Sequence, residues 1–417
     1  MIESIFPHAY SAVRSELAAR LAESAPGRVQ ILSGPRQVGK THLLRELERA
    51  HAGGATYAAA DAPAAALPGW WEALWSAAQA RARQSGHALL LIDEIQYLPD
   101  WGRRLKAEAD RIGHEQVPLH VVVSGSSSLR LGQGTRETMA GRFEYLRLLH
   151  WPARELVRQF GMTEEKAVKA AAETGTYPGA VELLGQPARW KAYVRDAIVE
   201  PAVGRDLLAL EVIRRPALLR QVFALAVGHP AEIVSLQKLR GQLADPGAIE
   251  TVAHYLQVLE SAYLVAALPK FSLHEARRRS SPPKLVVLNQ GILAALSDDQ
   301  AATTATGTSQ HGRRIENACL ALAWNAGQTV AYWRQEPFEV DMVTTGSWGR
   351  WAVEVKTGPH SNRDLAGLFE FCREHRDFTP LVVCAPGNET VAHSTGIASC
   401  SWQEFLLSGP PGIGAAD

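Results

Sequence analysis

The chain has 417 residues, 46% hydrophobic and 21% charged, a globular balance that excludes a disordered or fibrous polymer. Lys+Arg 43 and Asp+Glu 43 cancel, so the molecule is not a uniformly basic nucleic-acid coat. Residues 1–150 hold 17 basic and 15 acidic side chains, 151–300 hold 18 and 16, and 301–417 hold 8 and 12, so any polyanion-binding surface has to be local.

At roughly 100–200 residues per domain, the length predicts two to four domains. The first helical spacing runs through Val13, Leu17 and Leu21 and ends near Pro26-Gly27. Short apolar runs at 28–33, 88–92 and 119–123 read as buried strands, with helices at 42–50 and 101–112 between them. That alternation predicts an α/β domain with a parallel sheet over residues 1–150. Residues 151–296 turn helical. A helix–turn–helix at 233–261 followed by YLVAALPKF predicts a winged-helix unit, and a basic loop follows at Arg277-Arg278-Arg279. The polar stretch SDDQAATTATGTSQ (297–310) reads as a linker. A third, α/β unit is expected over 311–417, with strands at 330–334, 338–344, 351–356 and 380–384 and helices at 313–325 and 365–374.

The cysteines Cys319, Cys372, Cys384 and Cys400 form no CxxC pair, which argues against zinc and disulfides and suits a reducing compartment. The opening MIESIFPHAYSAVRSELAARLAE lacks a basic segment followed by an apolar one, and no apolar run approaches the ~20 residues of a membrane span. The expectation is a cytoplasmic protein.

Gly34-Pro35-Arg36-Gln37-Val38-Gly39-Lys40-Thr41 matches GxxxxGK(S/T) between an expected strand and an expected helix. Backbone N–H groups of such a loop wrap phosphates at a helix N-terminus, the lysine reaches the β/γ-phosphates and the threonine hydroxyl binds Mg²⁺. The run 89–92 then ends in Asp93-Glu94. Asp93 would bind Mg²⁺ through water and Glu94 would polarise the attacking water. Ser124, ending VVVSGS, is a candidate sensor of the γ-phosphate or the water; a plain Ser/Gly turn is the other reading.

GPRQVGKTHLL, YAAADAP, LLLIDEIQYLPDWGRRLKAEAD, VVVSGSSSLRL and AGRFEYLRL, with the later TYPGAVEL, VGRDLL and EVD…VEVKTG, resemble the prokaryotic AAA+-type ATPases that carry a C-terminal restriction-endonuclease-like domain. The likeness spans nearly the whole chain in order. Leu288-Asn289-Gln290-Gly291 departs from it, since the family often has Asp-x-Gly there. The resemblance implies ATP and Mg²⁺ as cofactors and a homo-oligomeric ring or partial ring, a hexamer among the candidates. A neighbour's arginine would complete each ATP site. Arg142 is the candidate and Arg205 the runner-up; a surface arginine in an ion pair is the other reading of each.

Beyond its buried face the second helix of the winged unit offers Glu250, His254, Gln257 and Glu260, with no Arg or Lys to meet phosphates. Packing is therefore the expected role of that helix. Arg277–Arg279 could grip a phosphate backbone or be a solvated loop.

In the last unit Asp341 ends one expected strand and Glu354 and Lys356 share one face of the next. Two carboxylates and a lysine, with Glu316 on the preceding helix, form a D…ExK set that resembles the PD-(D/E)xK nuclease core. Such a set would hold Mg²⁺ through Glu316, Asp341 and Glu354 for phosphodiester hydrolysis. Cleavage, DNA binding alone and a structural remnant all remain as readings of it. The expected function is an ATP-driven motor acting on DNA. The competing expectation is a nucleotide-dependent switch that binds a protein partner.

Overall fold

The structure, a computed structural model, describes residues 5–126, 141–207, 213–244, 248–274, 281–297, 307–389, 392 and 396–413. The chain divides into two compact units: Tyr10–Leu149, and a second that joins Met1–Ala9 to His150–Asp417.

The first unit is built on a sheet of β1 (Val29–Ser33), β2 (Ala55–Ala59), β3 (Ala88–Asp93), β4 (Leu119–Gly125) and β5 (Phe143–Arg147). The order is β2-β3-β4-β1-β5 and every pairing is parallel. The three central strands are buried along their whole length, which is why they read as continuous apolar runs. The outer two, β2 and β5, are half-buried and lack that signal. Helices α1 (Tyr10–Leu21), α2 (Lys40–Ala50), α3 (Trp70–Ser85) and α4 (Trp101–His114) belong to the same unit. Trp71, Trp75 and Ala82 of α3 and Leu105 of α4 form one core with Leu90, Ile92 and Val121 of the sheet. Truncating Trp75, fully enclosed there, costs about 3–5 kcal/mol.

The second unit begins with α5 (Ala153–Phe160), α6 (Glu164–Lys169) and α7 (Pro187–Tyr193). Then come α8 (Pro216–Gly228), α9 (Leu236–Gly241), α10 (Ile249–Ser261) and the antiparallel pair β6 (Val265–Leu268) and β7 (Lys284–Val287). Three helices are thus followed by an antiparallel pair, the element order that a winged-helix unit has. Val252, Tyr255, Leu256, Val258 and Leu259 are the buried face of α10. After α11 (Gln290–Leu296), α12 spans Gly307–Asn325. The expected linker is therefore shorter at its C-terminal end, because its last four residues are the first turn of α12; 298–306 lie outside the described residues.

The C-terminal sheet holds β8 (Thr329–Gln335), β9 (Phe338–Gly346), β10 (Gly349–Lys356), β11 (Thr379–Cys384) and β12 (Ala398–Ser401), in the order β12-β11-β10-β9-β8. The β8-β9-β10 pairings are antiparallel and the β10-β11-β12 pairings parallel. The parallel crossover carries α13 (Ala366–Glu374), and α14 (Trp402–Ser408) follows β12. Residues 5–9 belong here too: Trp348 stacks edge-on to Phe6 at 6.2 Å and donates its indole N–H to the Ile5 carbonyl at 2.8 Å. No helix among the described residues is long and apolar enough to cross a membrane.

Candidate functional sites: a phosphate loop and a carboxylate–lysine cluster

Parallel strands bring their C-terminal ends to one edge of a sheet, where ligands of open α/β folds collect. The β1–β4 register pairs Ser33 with Gly125, and the β3–β4 register pairs Ile92 with Val123. The loop after β1, the acids after β3 and Ser124 therefore meet at that edge.

Gly34 leaves β1 so close to the neighbouring chain that an added Cβ would lie 1.8 Å from the Leu148 carbonyl oxygen; only glycine fits. Val38 is buried, which anchors the loop from beneath. The Arg36 guanidinium donates to the Tyr97 hydroxyl at 3.1 Å. Gln37 is exposed with φ 60°, and Gly39, φ 98°, opens α2. The Lys40 ammonium, 5% exposed, donates to the carbonyls of Gly34 at 2.9 Å and Pro35 at 2.6 Å. Thr41 follows, exposed, in the first turn of α2.

Asp93 is buried and held on both oxygens. Its Oδ2 accepts from the Tyr57 hydroxyl at 2.9 Å. Its Oδ1 accepts from the Ser124 hydroxyl and, at 3.1 Å, from the Glu94 N–H. The Arg45 guanidinium stacks over the Tyr57 ring at 3.4 Å. Burial, then the Asp93 charge, pushes the Tyr57 phenol well above its ordinary value, so it stays a proton donor to Asp93. Glu94 takes the left-handed conformation, φ 53°, and its carboxylate accepts from Gln96, whose amide also reaches the Ser126 hydroxyl at 3.2 Å. Tyr57, Gln96 and Ser126 were not singled out from the sequence. A hydroxyl-bearing strand beside the acidic one was the only available signal for Tyr57.

Arg142 is at the other end of the sheet. It immediately precedes β5, its carbonyl accepts from the Val29 N–H at 2.9 Å, and its guanidinium is ion-paired with Asp110 of α4. A strand length of about 15 Å separates it from the phosphate loop of the same chain. The side chain of Arg205 and the loop Arg277–Arg279 lie outside the described residues.

In the second unit the D…ExK residues do converge. The Val355 N–H donates to Asp341 Oδ2 at 2.9 Å, the Asp341 N–H to Glu354 Oε2 at 3.4 Å, and the Lys356 ammonium to Glu354 Oε1 at 2.7 Å. A second lysine stands among them. Lys284 of β7, 1% exposed, puts its ammonium against the Glu316 carboxylate and 3.4 Å from Asp341 Oδ1, with Glu339 at 3.9 Å and the Asp341 carbonyl at 3.2 Å. Burial favours the neutral amine of Lys284, but Glu316 and Asp341 outweigh it and hold it charged. Burial, with the Asp341 charge, pushes the Glu316 and Glu354 carboxyls each up to about 8.

The expected metal set of Glu316, Asp341 and Glu354 does not fit a divalent ion in this arrangement. Lys284 lies between Glu316 and Asp341, and Lys356 takes Glu354. Among the described residues no group of three or more His, Cys, Asp or Glu side chains is arranged to hold a metal. Oxygen donors of the phosphate-loop edge, Thr41 and Asp93, do suit Mg²⁺.

Asn289, at the departure from the family pattern, is buried. It caps α11 by accepting from the Gly291 N–H at 2.9 Å, and its amide lies 3.1 Å from His150 Nδ1, a bond an ionised aspartate could not donate.

Three family models match consecutive parts of the chain: the AAA domain over 26–157, a domain of unknown function (DUF8612) over 165–303, and another (DUF4143) over 311–405. No curated protein matches. Among solved structures, ORC1 of Aeropyrum pernix in complex with DNA is 17% identical, with 70% of this chain and 92% of that one covered and a TM-score of 0.34. A RuvB variant of Thermotoga maritima gives 17%, 64%, 93% and 0.32, and AMPPCP-bound DnaA of Aquifex aeolicus gives 16%, 60%, 86% and 0.31. Scores this low carry no further argument. The sheet order, the phosphate loop and the family match over 26–157 agree that the first unit is an AAA domain with the fold of P-loop ATPases.

Proposed function

We propose that the protein is a Mg²⁺-dependent ATP hydrolase that works as an assembly of several copies and drives work on DNA. The observation that supports it best is the convergence of Gly34–Thr41, Asp93, Glu94 and Ser124 on one sheet edge. The loop N–H groups and the N-terminus of α2 bind the phosphates. Lys40 exchanges two neutral carbonyls for phosphate oxygens. Thr41 and Asp93 would hold Mg²⁺, which would supply charge neutralisation to the phosphates. Tyr57 and Ser124 keep Asp93 oriented. Glu94, once it leaves Gln96, orients water toward the γ-phosphorus.

Arg142 is too far from its own loop to act there, so its role in hydrolysis is in trans, with Asp110 as its resting partner. Arg142→Ala should lose about 10³-fold in turnover while sparing ATP affinity. Mixing Arg142→Ala with Glu94→Gln chains should restore part of the activity; no recovery beyond either variant alone would sink the trans role.

DNA as the object of the work rests on the family resemblance. The competing function, a nucleotide-dependent switch for a protein partner, is favoured by two observations: the half-buried or acidic polar side of α10 and the compensated D…ExK cluster. ATPase assays with single-stranded, duplex, forked and four-way-junction DNA separate them. Stimulation by any of these supports the motor, and indifference to all of them supports the switch.

A further inference from the structure

The D…ExK cluster is surrounded by contacts that tie the wing to the C-terminal sheet. The chain leaving β6 runs on along β8: the Phe271 N–H donates to the Tyr332 carbonyl at 2.6 Å, and the Tyr332 N–H to the Pro269 carbonyl at 3.2 Å. The Phe271 ring then enters the C-terminal core, 5.4 Å from both Phe371 and Phe378. The Tyr332 hydroxyl reaches back to the carbonyl of Pro282, just before β7. Both sides of the wing are therefore docked where they are described.

Strand β7 is gripped equally firmly from α12. The buried Asn317 amide accepts from the Val287 N–H and donates to the Val287 carbonyl, both at 2.9 Å, and Asn325 donates to the Leu288 carbonyl at 3.0 Å. Glu316, one residue before Asn317, meets Lys284 at the other end of β7. Lys284 also bridges in backbone pairing to Ile233, so one residue joins the helical region, the wing, α12 and β9.

We propose that Lys284 is a built-in cation: its ammonium serves the Glu316–Asp341 pair in place of a divalent metal, and the D…ExK constellation acts as an ionic joint between wing and C-terminal sheet and does not cleave DNA. The placement of the ammonium groups supports this: Lys284 stands against Glu316 and 3.4 Å from Asp341 Oδ1, and Lys356 lies 2.7 Å from Glu354 Oε1, so a metal ion would have to displace a lysine from each carboxylate it took. A buried cation on two carboxylates is costly to displace, because removing one partner leaves an uncompensated charge.

The test has two arms on the full chain. In the first, Mn²⁺ binding is followed by electron paramagnetic resonance without nucleotide, and nicking of supercoiled plasmid is followed with Mg²⁺ or Mn²⁺. Wild type and Asp341→Asn should bind the same amount of Mn²⁺ and cut nothing. Mn²⁺ binding or nicking that Asp341→Asn removes would overturn the proposal. In the second, Lys284→Met should lower the melting temperature by about 5–10 °C, and adding Glu316→Gln should recover most of the loss. A melting temperature unchanged by Lys284→Met would equally overturn it. Should Lys284→Met fail to fold, the metal and nicking arm decides alone.

Discussion

Lys40 and Lys284 are both buried ammonium groups, the first on backbone carbonyls and the second among carboxylates, and the two sites differ accordingly. Lys40, the first residue of α2, donates to two neutral carbonyls, and the residue after it is exposed. Trading those bonds for phosphate oxygens replaces neutral acceptors by charged, stronger ones. Lys284 rests on carboxylates, inside a seam of hydrogen bonds, and has nothing better to exchange for. The partners of the two lysines thus differ in kind, neutral carbonyls for one and carboxylates for the other.

The largest effect that tests this contrast is on turnover. Lys40→Ala should abolish ATP hydrolysis by about 10³-fold or more with little change in melting temperature, the reverse of the pattern expected for Lys284→Met. Glu94→Gln should lose about 10²–10⁴-fold in turnover yet retain bound ATP, which a nucleotide-trapping filter assay would read. Equal loss of ATP binding in both variants would break the division of roles.

Stability against pH separates the units next. Glu316 and Glu354 titrate near 4.5 when unfolded and at about 8 when folded, so between those values the unfolded state binds fewer protons. The second unit should therefore lose stability as pH rises from 5 to 8, and Glu354→Gln should flatten that slope in thermal melts. His120 of the first unit moves the other way. Burial holds its imidazole below the ordinary 6.5, so its contribution is present above that pH and is lost as pH falls below it. Melts of wild type and His120→Gln between pH 5.5 and 8 would reveal a wrong sign for either group.

The smallest expected effect belongs to Tyr57. Tyr57→Phe keeps the ring under Arg45 but removes the hydroxyl from Asp93, a bond to a charged group worth about 1.5–3 kcal/mol. The variant should need more Mg²⁺ for half-maximal activity, with turnover at saturating Mg²⁺ reduced about tenfold or less. An unchanged Mg²⁺ dependence would remove Tyr57 from the positioning of Asp93.

Much of the first unit was legible because buried parallel strands are continuous apolar runs and the phosphate loop is a fixed string of residues. Of the missed strands, β2, β5 and β12 are half-buried or short edge strands, where one face or one end answers to solvent and the apolar signal fades, while β7 is buried throughout but only four residues long and opens on a lysine. In the middle region the helices α9 and α10 and the strand β6 were visible in the sequence. The helix start at Gly307 was not, since Gly307, Thr308, Ser309 and Gln310 look like linker until the rest of α12 packs. Asp341, Glu354 and Lys356 were placed together correctly by strand alternation, as their hydrogen bonds bear out.

Local spacing and strand–helix order suffice to locate the phosphate loop, the acids at the end of β3 and the alternation of the sheet around them. They do not determine the state of the D…ExK cluster. Lys284 lies fifty-seven residues before Asp341 and on another element, and its ammonium reaches the carboxylates only when the wing folds back against the C-terminal sheet. Charge compensation at long range depends on which side chains the tertiary fold encloses together, and no local pattern records that.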